Sequence, residues 1–122
     1  MSQYQEEAKQ RWGQSKAYRQ SKRRTDQYSA EDWSNIHREA TAIYARFYQL
    51  RDSDLNSQEA REVVEMWKAH VSRYYYDCTD QILAGLGEMY IADSRFQENI
   101  DQHGVGTAAT MSEAIRCYCS HQ

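Results

Sequence analysis

Proline is absent from this 122-residue chain and glycine occurs only five times. Few positions therefore force a helix to break, and long uninterrupted helices are the natural expectation. Aliphatic side chains are scarce as well: Leu, Ile, Val and Phe together number 16. A chain that poor in ordinary core residues approaches the composition of disordered proteins, yet a net charge of −3 is too small to hold it open. No apolar run approaches the roughly 18 residues of a membrane helix. No secretory pattern opens the chain, so the cytoplasm is the expected compartment and no membrane partner is expected. Three cysteines without an export signal read as free thiols in a reducing environment.

What the chain does have is tyrosine and tryptophan, ten and three of them. Each buries roughly 150–250 Å² while keeping a polar tip that wants a partner. An interior walled by such rings suits a flat or extended organic ligand better than tight aliphatic packing. Charge is uneven: residues 1–28 hold seven basic and three acidic side chains, residues 29–122 eight basic and fifteen acidic. The two regions should attract each other.

Residues 4–12 and Ser15 to Tyr28 have the makings of two helices, with Gly13 between them, but neither carries an apolar stripe. Such segments bury too little to offset an ordering cost of roughly 1–2 kcal/mol per residue. Residues 1–28 are therefore expected to stay mobile until something covers them, and the ordered core is expected over 29–122. Its first helix is signalled by Ser29 as N-cap with Asp32 as a short-armed capping box. Trp33, Ile36, Ala40, Ile43, Phe47 and Leu50 then recur at helical spacing. A second helix, capped by Asn56 or Ser57, carries Ala60, Val63, Val64, Trp67, His70, Val71 and Tyr74. A hydrogen-bonded core histidine and a ligand contact are both open readings for His70. Thr79 caps a third helix burying Ile82, Leu86, Met89 and Tyr90, with Gly85 and Gly87 reserved for close approach by a helix or a ligand. A short helix over "DSRFQENID", a turn at "HGVG", and a last helix from Val105 to Tyr118 complete the chain. That last helix is expected to bury Val105, Ala108, Ala109, Ser112, Ile115 and Cys119.

Chemistry-bearing patterns are few. No phosphate loop, HExxH or nucleophile elbow is present, and the carboxylates are scattered, so no enzyme and no cofactor is expected. "CYCSH" offers Cys117, Cys119 and His121, but a structural zinc site wants four ligands and the second pair is missing. No metal is expected. The Lys22-Arg23-Arg24 block reads as a solvated helix face more readily than as a nucleic-acid contact.

"EEAKQRWGQSKAYRQSKRRTDQYSAEDW" and "HVSRYYYDCTDQILAGLGEMYIADSRFQENIDQHGVGTA" together resemble the TipAS antibiotic-recognition domain, the C-terminal effector half of MerR-type transcription activators. The resemblance runs from about Tyr4 to Ile115. It implies an all-α, globin-like fold without haem, with a flexible N-terminal helical lid over residues 1–28 that closes on a small-molecule antibiotic. It also implies a set of ligand-contacting residues: Trp12 and Tyr18 on the lid, and His70, Tyr74, Tyr75, Tyr76 and Cys78 opposite. Tyr90, Asp93 and Phe96 follow from "EMYIADSRF". Some members capture dehydroamino-acid ligands through a cysteine thioether, which makes Cys78 the candidate here. The start of the helix capped at Thr79 is expected to lower its pKa, with Asp77 opposing.

No stretch of these 122 residues resembles the winged helix-turn-helix or the dimerising coiled coil of such activators. DNA contact and homodimerisation are therefore expected only in a full-length context. The chain is expected to be an excised effector domain, with a monomer as one expected state, or a stand-alone form that sequesters drug. A helical module whose aromatic cleft takes a partner protein's helix is the competing expectation.

Overall fold

The computed structural model describes residues 16–120, with side chains from Arg19 onward. Within them lie six helices and no strand: α1 (Lys16–Thr25), α2 (Ala30–Gln49), α3 (Gln58–Tyr74), α4 (Asp80–Ala92), α5 (Ser94–Asp101) and α6 (Thr107–Ser120). The expected helix over 4–12, and Trp12 within it, lie outside the described residues. None of the described helices is long and apolar enough to cross a membrane.

Local signals set the helix starts. Ser29 accepts from Asp32 N at 3.1 Å while Asp32 accepts from Ser29 N at 3.0 Å, the reciprocal pair read from the sequence. Ser57 caps α3 through Ala60 N, and Thr79 caps α4 through Ile82 N. Each such cap is worth about 1 kcal/mol. Asp93 starts α5 by accepting from Arg95 N at 2.9 Å.

The centre of the molecule is built where α4 lies along α6, with α3 and α2 closing it from the other side. Phe47, Ala60, Val63, Val64, Leu83, Ala108 and Met111 are wholly buried there. Gly87 explains how α4 and α6 come so close: a Cβ at this position would meet Ile115 Cγ2 at 3.0 Å. Gly85 has no such role, because nothing lies within 4 Å of its would-be Cβ. The expectation of a helix packed against Gly85 is thus corrected.

The last helix also differs from its reading. It begins at Thr107, and Val105, placed on the buried stripe by spacing, is 85% exposed in the turn before it. Ala109 is exposed and Ser112 half-buried, while Thr107, Thr110, Met111, Ala114 and Cys117 face inward. The reason is local chemistry. The Thr107 and Thr110 hydroxyls donate to Gly104 O (2.6 Å) and Gly106 O (2.9 Å), so two residues read as polar are satisfied by their own backbone and can be buried. Gly104 itself, at φ 144°, lies where a Cβ would strike the Tyr48 ring.

α1 rests on the C-terminal end of α3. Its described side chains make polar contacts there: Arg24 Nη1 donates to Ser72 O at 2.6 Å, and the Tyr28 hydroxyl just beyond α1 donates to Tyr74 O at 2.6 Å.

Candidate functional site

Where α3 ends, helical periodicity stops governing which way a side chain points. Tyr75 leaves the helix at φ −118°, ψ −64°, and the N–H groups of Tyr75 and Tyr76 both donate to Val71 O, at 2.9 and 3.2 Å. At this end, closed by an i→i−5 bond, Tyr76 turns inward, where it is 7% exposed and packs in the core. Tyr74, expected as the last step of the buried seam, is only half-buried, as is Tyr75. Of the three consecutive tyrosines, the buried one is therefore Tyr76, not Tyr74.

From this helix end a file of rings crosses the molecule. Tyr28 meets Trp33 at 5.4 Å between centroids, and Trp33 meets Tyr75 at 6.3 Å. Tyr75 meets His70 at 6.3 Å, and His70 stacks on Trp67 at 5.2 Å and 19°. Trp67 meets Tyr90 at 6.4 Å, and Tyr90 meets Phe96 at 6.4 Å. Tyr74 lies beside the file, edge-on to His70 at 5.1 Å and to Tyr28 at 6.4 Å. The ends of the file, Tyr28, Trp33 and Tyr75 on one side and Phe96 on the other, are half-exposed, whereas His70, Trp67 and Tyr90 are buried. Such edge-to-face and offset contacts contribute about 0.5–1.5 kcal/mol each beyond area burial.

Hydrogen bonds hold the polar tips of the buried members. The Trp67 indole N–H donates to the Tyr90 hydroxyl at 3.1 Å. His70 Nδ1 lies 2.7 Å from Glu39 Oε1, and Arg73 Nη1 donates to Glu39 Oε2 at 3.2 Å. Glu39 thereby ties α2 to α3 through two partners. Burial pushes the Tyr75, Tyr76 and Tyr90 phenols above their usual range, so each stays a protonated hydroxyl at neutral pH.

The structure thus brings His70, Tyr74, Tyr75, Tyr90 and Phe96 into one aromatic assembly. Tyr76 and Cys78 belong to the core behind it. Tyr18 lies in α1, but its side chain, like all of Trp12, falls outside what is described. Asp93 caps α5 and takes a forked pair from Arg95, at 3.2 Å from Nε and 2.8 Å from Nη2. Its carboxylate is largely engaged within its own turn. Sequence spacing assigned Trp33 and Trp67 to the core seams, and they prove to be the links between the other rings. Their aromatic character and, for Trp67 and His70, their spacing on α3 were the available signals; Tyr90 and Tyr75 reach them from outside their own helices.

Cys78 departs from expectation. It is 5% exposed, its N–H donates to Ser72 Oγ at 3.1 Å, and its Sγ donates to Thr79 O at 3.7 Å. Burial pushes the thiol up to about 11, and the Lys68 ammonium opposes this without prevailing. The start of α4 therefore does not lower this pKa as expected, because loss of solvent around the sulfur outweighs the helix end. At the other end, Cys117 Sγ reaches Glu113 and Cys119 Sγ reaches Asp80 O at 3.6 Å. Two positions apart on a helix point to opposite sides, and no metal-holding cluster exists among the described residues. His121 lies outside them. A shallow groove of about 560 Å³ between α4 and α6, lined in part by Ala84, Ile91, Arg116 and Ser120, contains none of the expected ligand residues.

Comparison with known proteins places these features. The TipAS antibiotic-recognition domain family matches residues 4–118. The chain is 43% identical over 115 residues to the HTH-type transcriptional activator TipA of Streptomyces coelicolor, covering 93% of this chain and 46% of that one. It is 42% identical over 103 residues to the HTH-type transcriptional activator mta of Bacillus subtilis, covering 84% and 40%. The chain therefore spans less than half the length of these relatives. Among solved structures, TipAS of Streptomyces lividans in complex with nosiheptide, from a thiopeptide antibiotic multidrug resistance system, superposes with a TM-score of 0.86. That likeness is at 40% identity and covers 98% of this chain and 85% of that one.

Proposed function

This chain belongs to the TipAS antibiotic-recognition domain family, and from that membership and its aromatic file we propose that it binds multi-ring antibiotics as a sensor. The observation that carries the reading is the half-exposed group of Tyr28, Trp33, Tyr74 and Tyr75, backed by the buried and hydrogen-bonded His70 and Trp67. Rings already held by neighbours lose little freedom when a flat ligand stacks on them. Trp12, Tyr18, His70, Tyr74, Tyr75, Tyr76, Cys78, Tyr90, Asp93 and Phe96 remain the proposed ligand set. Of these, Tyr74 and Tyr75 offer the most direct contact, while Tyr76, Cys78 and Tyr90 act as its backing.

The basic N-terminal segment serves as the lid in this reading. Polar bonds from the described side chains seat α1 weakly on α3. Ligand adds the apolar surface the segment lacks, and completing its order consumes part of the contact energy. In a full-length activator the ordered segment passes the signal to an N-terminal winged helix-turn-helix domain on DNA, within a homodimer in the cytoplasm. Binding without chemical turnover is the expected role.

Nosiheptide, the compound bound by the solved relative, is the first probe. At about a hundred times its Kd it should stabilise the folded chain by about 2.7 kcal/mol, a rise in Tm of roughly 10 °C. Absence of any concentration-dependent shift with nosiheptide and a panel of multi-ring antibiotics would sink the reading. Stabilisation by an amphipathic peptide helix in their place would favour the protein-partner alternative.

A further inference from the structure

Asp77 lies in the turn between α3 and α4 with its carboxylate 68% exposed. A lone surface carboxylate holds little, but here two side chains of α1 converge on it and on its neighbourhood. Gln20 accepts from Asp77 N at 2.9 Å and donates to Asp77 Oδ2 at 3.3 Å. Arg24 Nη2 donates to Asp77 Oδ1 at 3.1 Å, while its Nη1 donates to Ser72 O at 2.6 Å. Gln20 and Arg24 are one helical turn apart and so share a face of α1.

The arrangement brackets the three tyrosines. Ser72 and Asp77 flank Tyr74, Tyr75 and Tyr76, and one guanidinium spans the two. Ser72 O and Tyr74 O are among the last carbonyls of α3, which have no partner within the helix. The first is taken by Arg24 and the second by Tyr28. A cation at this end also meets the negative pole of the helix. Among the described side chains of α1 these bonds hold it where it sits, and its seat places Tyr28 against Trp33 and Tyr74.

We propose that Asp77 is a positioning residue for the ligand-stacking wall: gripped by Gln20 and Arg24, it fixes α1 on the α3 terminus and so sets where Tyr28 and Trp33 stand. Ligand binding is read out at α1 through this latch, an inference that rests on the antibiotic-binding reading.

The test begins without ligand, on Asp77→Ala, Arg24→Ala, the double variant and the conservative Asp77→Glu. In ¹⁵N NMR spectra the Trp33 indole N–H resonance should move in both single variants, while that of Trp67, donated to Tyr90 in the core, stays in place. Amide exchange over residues 20–28 should quicken roughly three- to tenfold. The double variant should add little to either single one, as expected of a shared interaction, and Asp77→Glu should restore most of the protection. Unchanged exchange and an unmoved Trp33 signal in both single variants overturn the proposal. So does an equal movement of Trp67, which would mean general loosening.

With nosiheptide added, affinity should fall by a similar factor in the single variants. Unaltered affinity despite faster exchange removes the coupling to the ligand wall. If the parent chain binds no nosiheptide, the antibiotic reading fails, and the latch stands or falls on the ligand-free measurements alone.

Discussion

Where α4 meets α6, Gly87 lies against Ile115, and Leu83, Ala108 and Met111 are sealed from solvent. Where α1 meets α2 and α3, Tyr28, Trp33, Tyr74 and Tyr75 are each left half-exposed, and the contacts that join the helices are hydrogen bonds and ring edges. The first region uses close approach and small side chains to exclude water. The second keeps large rings partly wet and holds them by their edges and tips. One side is built to stay closed; the other has surface in hand for a ligand. The few Leu, Ile, Val and Phe residues are spread over α2 to α6, and α1 has none.

The contrast can be broken by substitution. Leu83→Ala, at a wholly buried site, should lower stability by about 2–5 kcal/mol in denaturant unfolding. Tyr75→Ala should cost far less stability, yet weaken nosiheptide binding about tenfold, or roughly 1.4 kcal/mol. Equal stability losses at the two positions would erase the distinction between a closed and an open region.

A smaller effect concerns the boundary between the regions. Folding holds the Cys78 thiol neutral, with its value at about 11 against 9.0 for the unperturbed group. The group titrates later in the folded than in the unfolded chain, so its contribution is complete below about pH 9. It is lost as pH rises from there through about 11, for a total of roughly 2–3 kcal/mol. Cys78→Ser should flatten that alkaline decline. At pH 7 a dehydroalanine-bearing peptide should leave Cys78 unmodified by intact mass; an adduct abolished by Cys78→Ser would show that ligand opens the site to solvent.

The smallest test uses the two glycines of α4. Gly85→Ala, with open space over the new methyl, should gain about 0.8–1 kcal/mol from helix propensity alone. Gly87→Ala should forfeit that gain against Ile115 and come out net destabilising by about 1 kcal/mol. Similar Tm values for the two variants would show that α4 and α6 can separate without cost.

Much of the fold was legible because its signals are local. The Ser29–Asp32 capping box and the Thr79 cap depend on residues within a turn of one another and appear as read. Ser57 is the one of two candidates that caps α3, and the stripes through Phe47 and Val63 hold except at Trp33, Ala40 and Tyr74, which are half-buried. The candidate site was legible as a set of residue types and a family resemblance, not as a geometry. Spacing along α3 puts Trp67, His70 and Tyr74 on one face, but nothing in it reveals that Tyr90 meets Trp67 from α4 or that Trp33 of α2 meets Tyr75.

The sequence by itself determined the existence of the described helices, the capped starts of α2, α3 and α4, the aromatic character of the interior and the family to which the chain belongs. Tertiary structure decided what happens where periodicity ends. Two amides sharing Val71 O turned Tyr76 inward and left Tyr74 and Tyr75 at the surface. Backbone-satisfied threonines rotated the buried face of α6, and desolvation raised a thiol that its helix position alone would have lowered. The reason is common to all three. Periodicity and capping are interactions within a segment, whereas burial and solvent loss depend on which other segments arrive there.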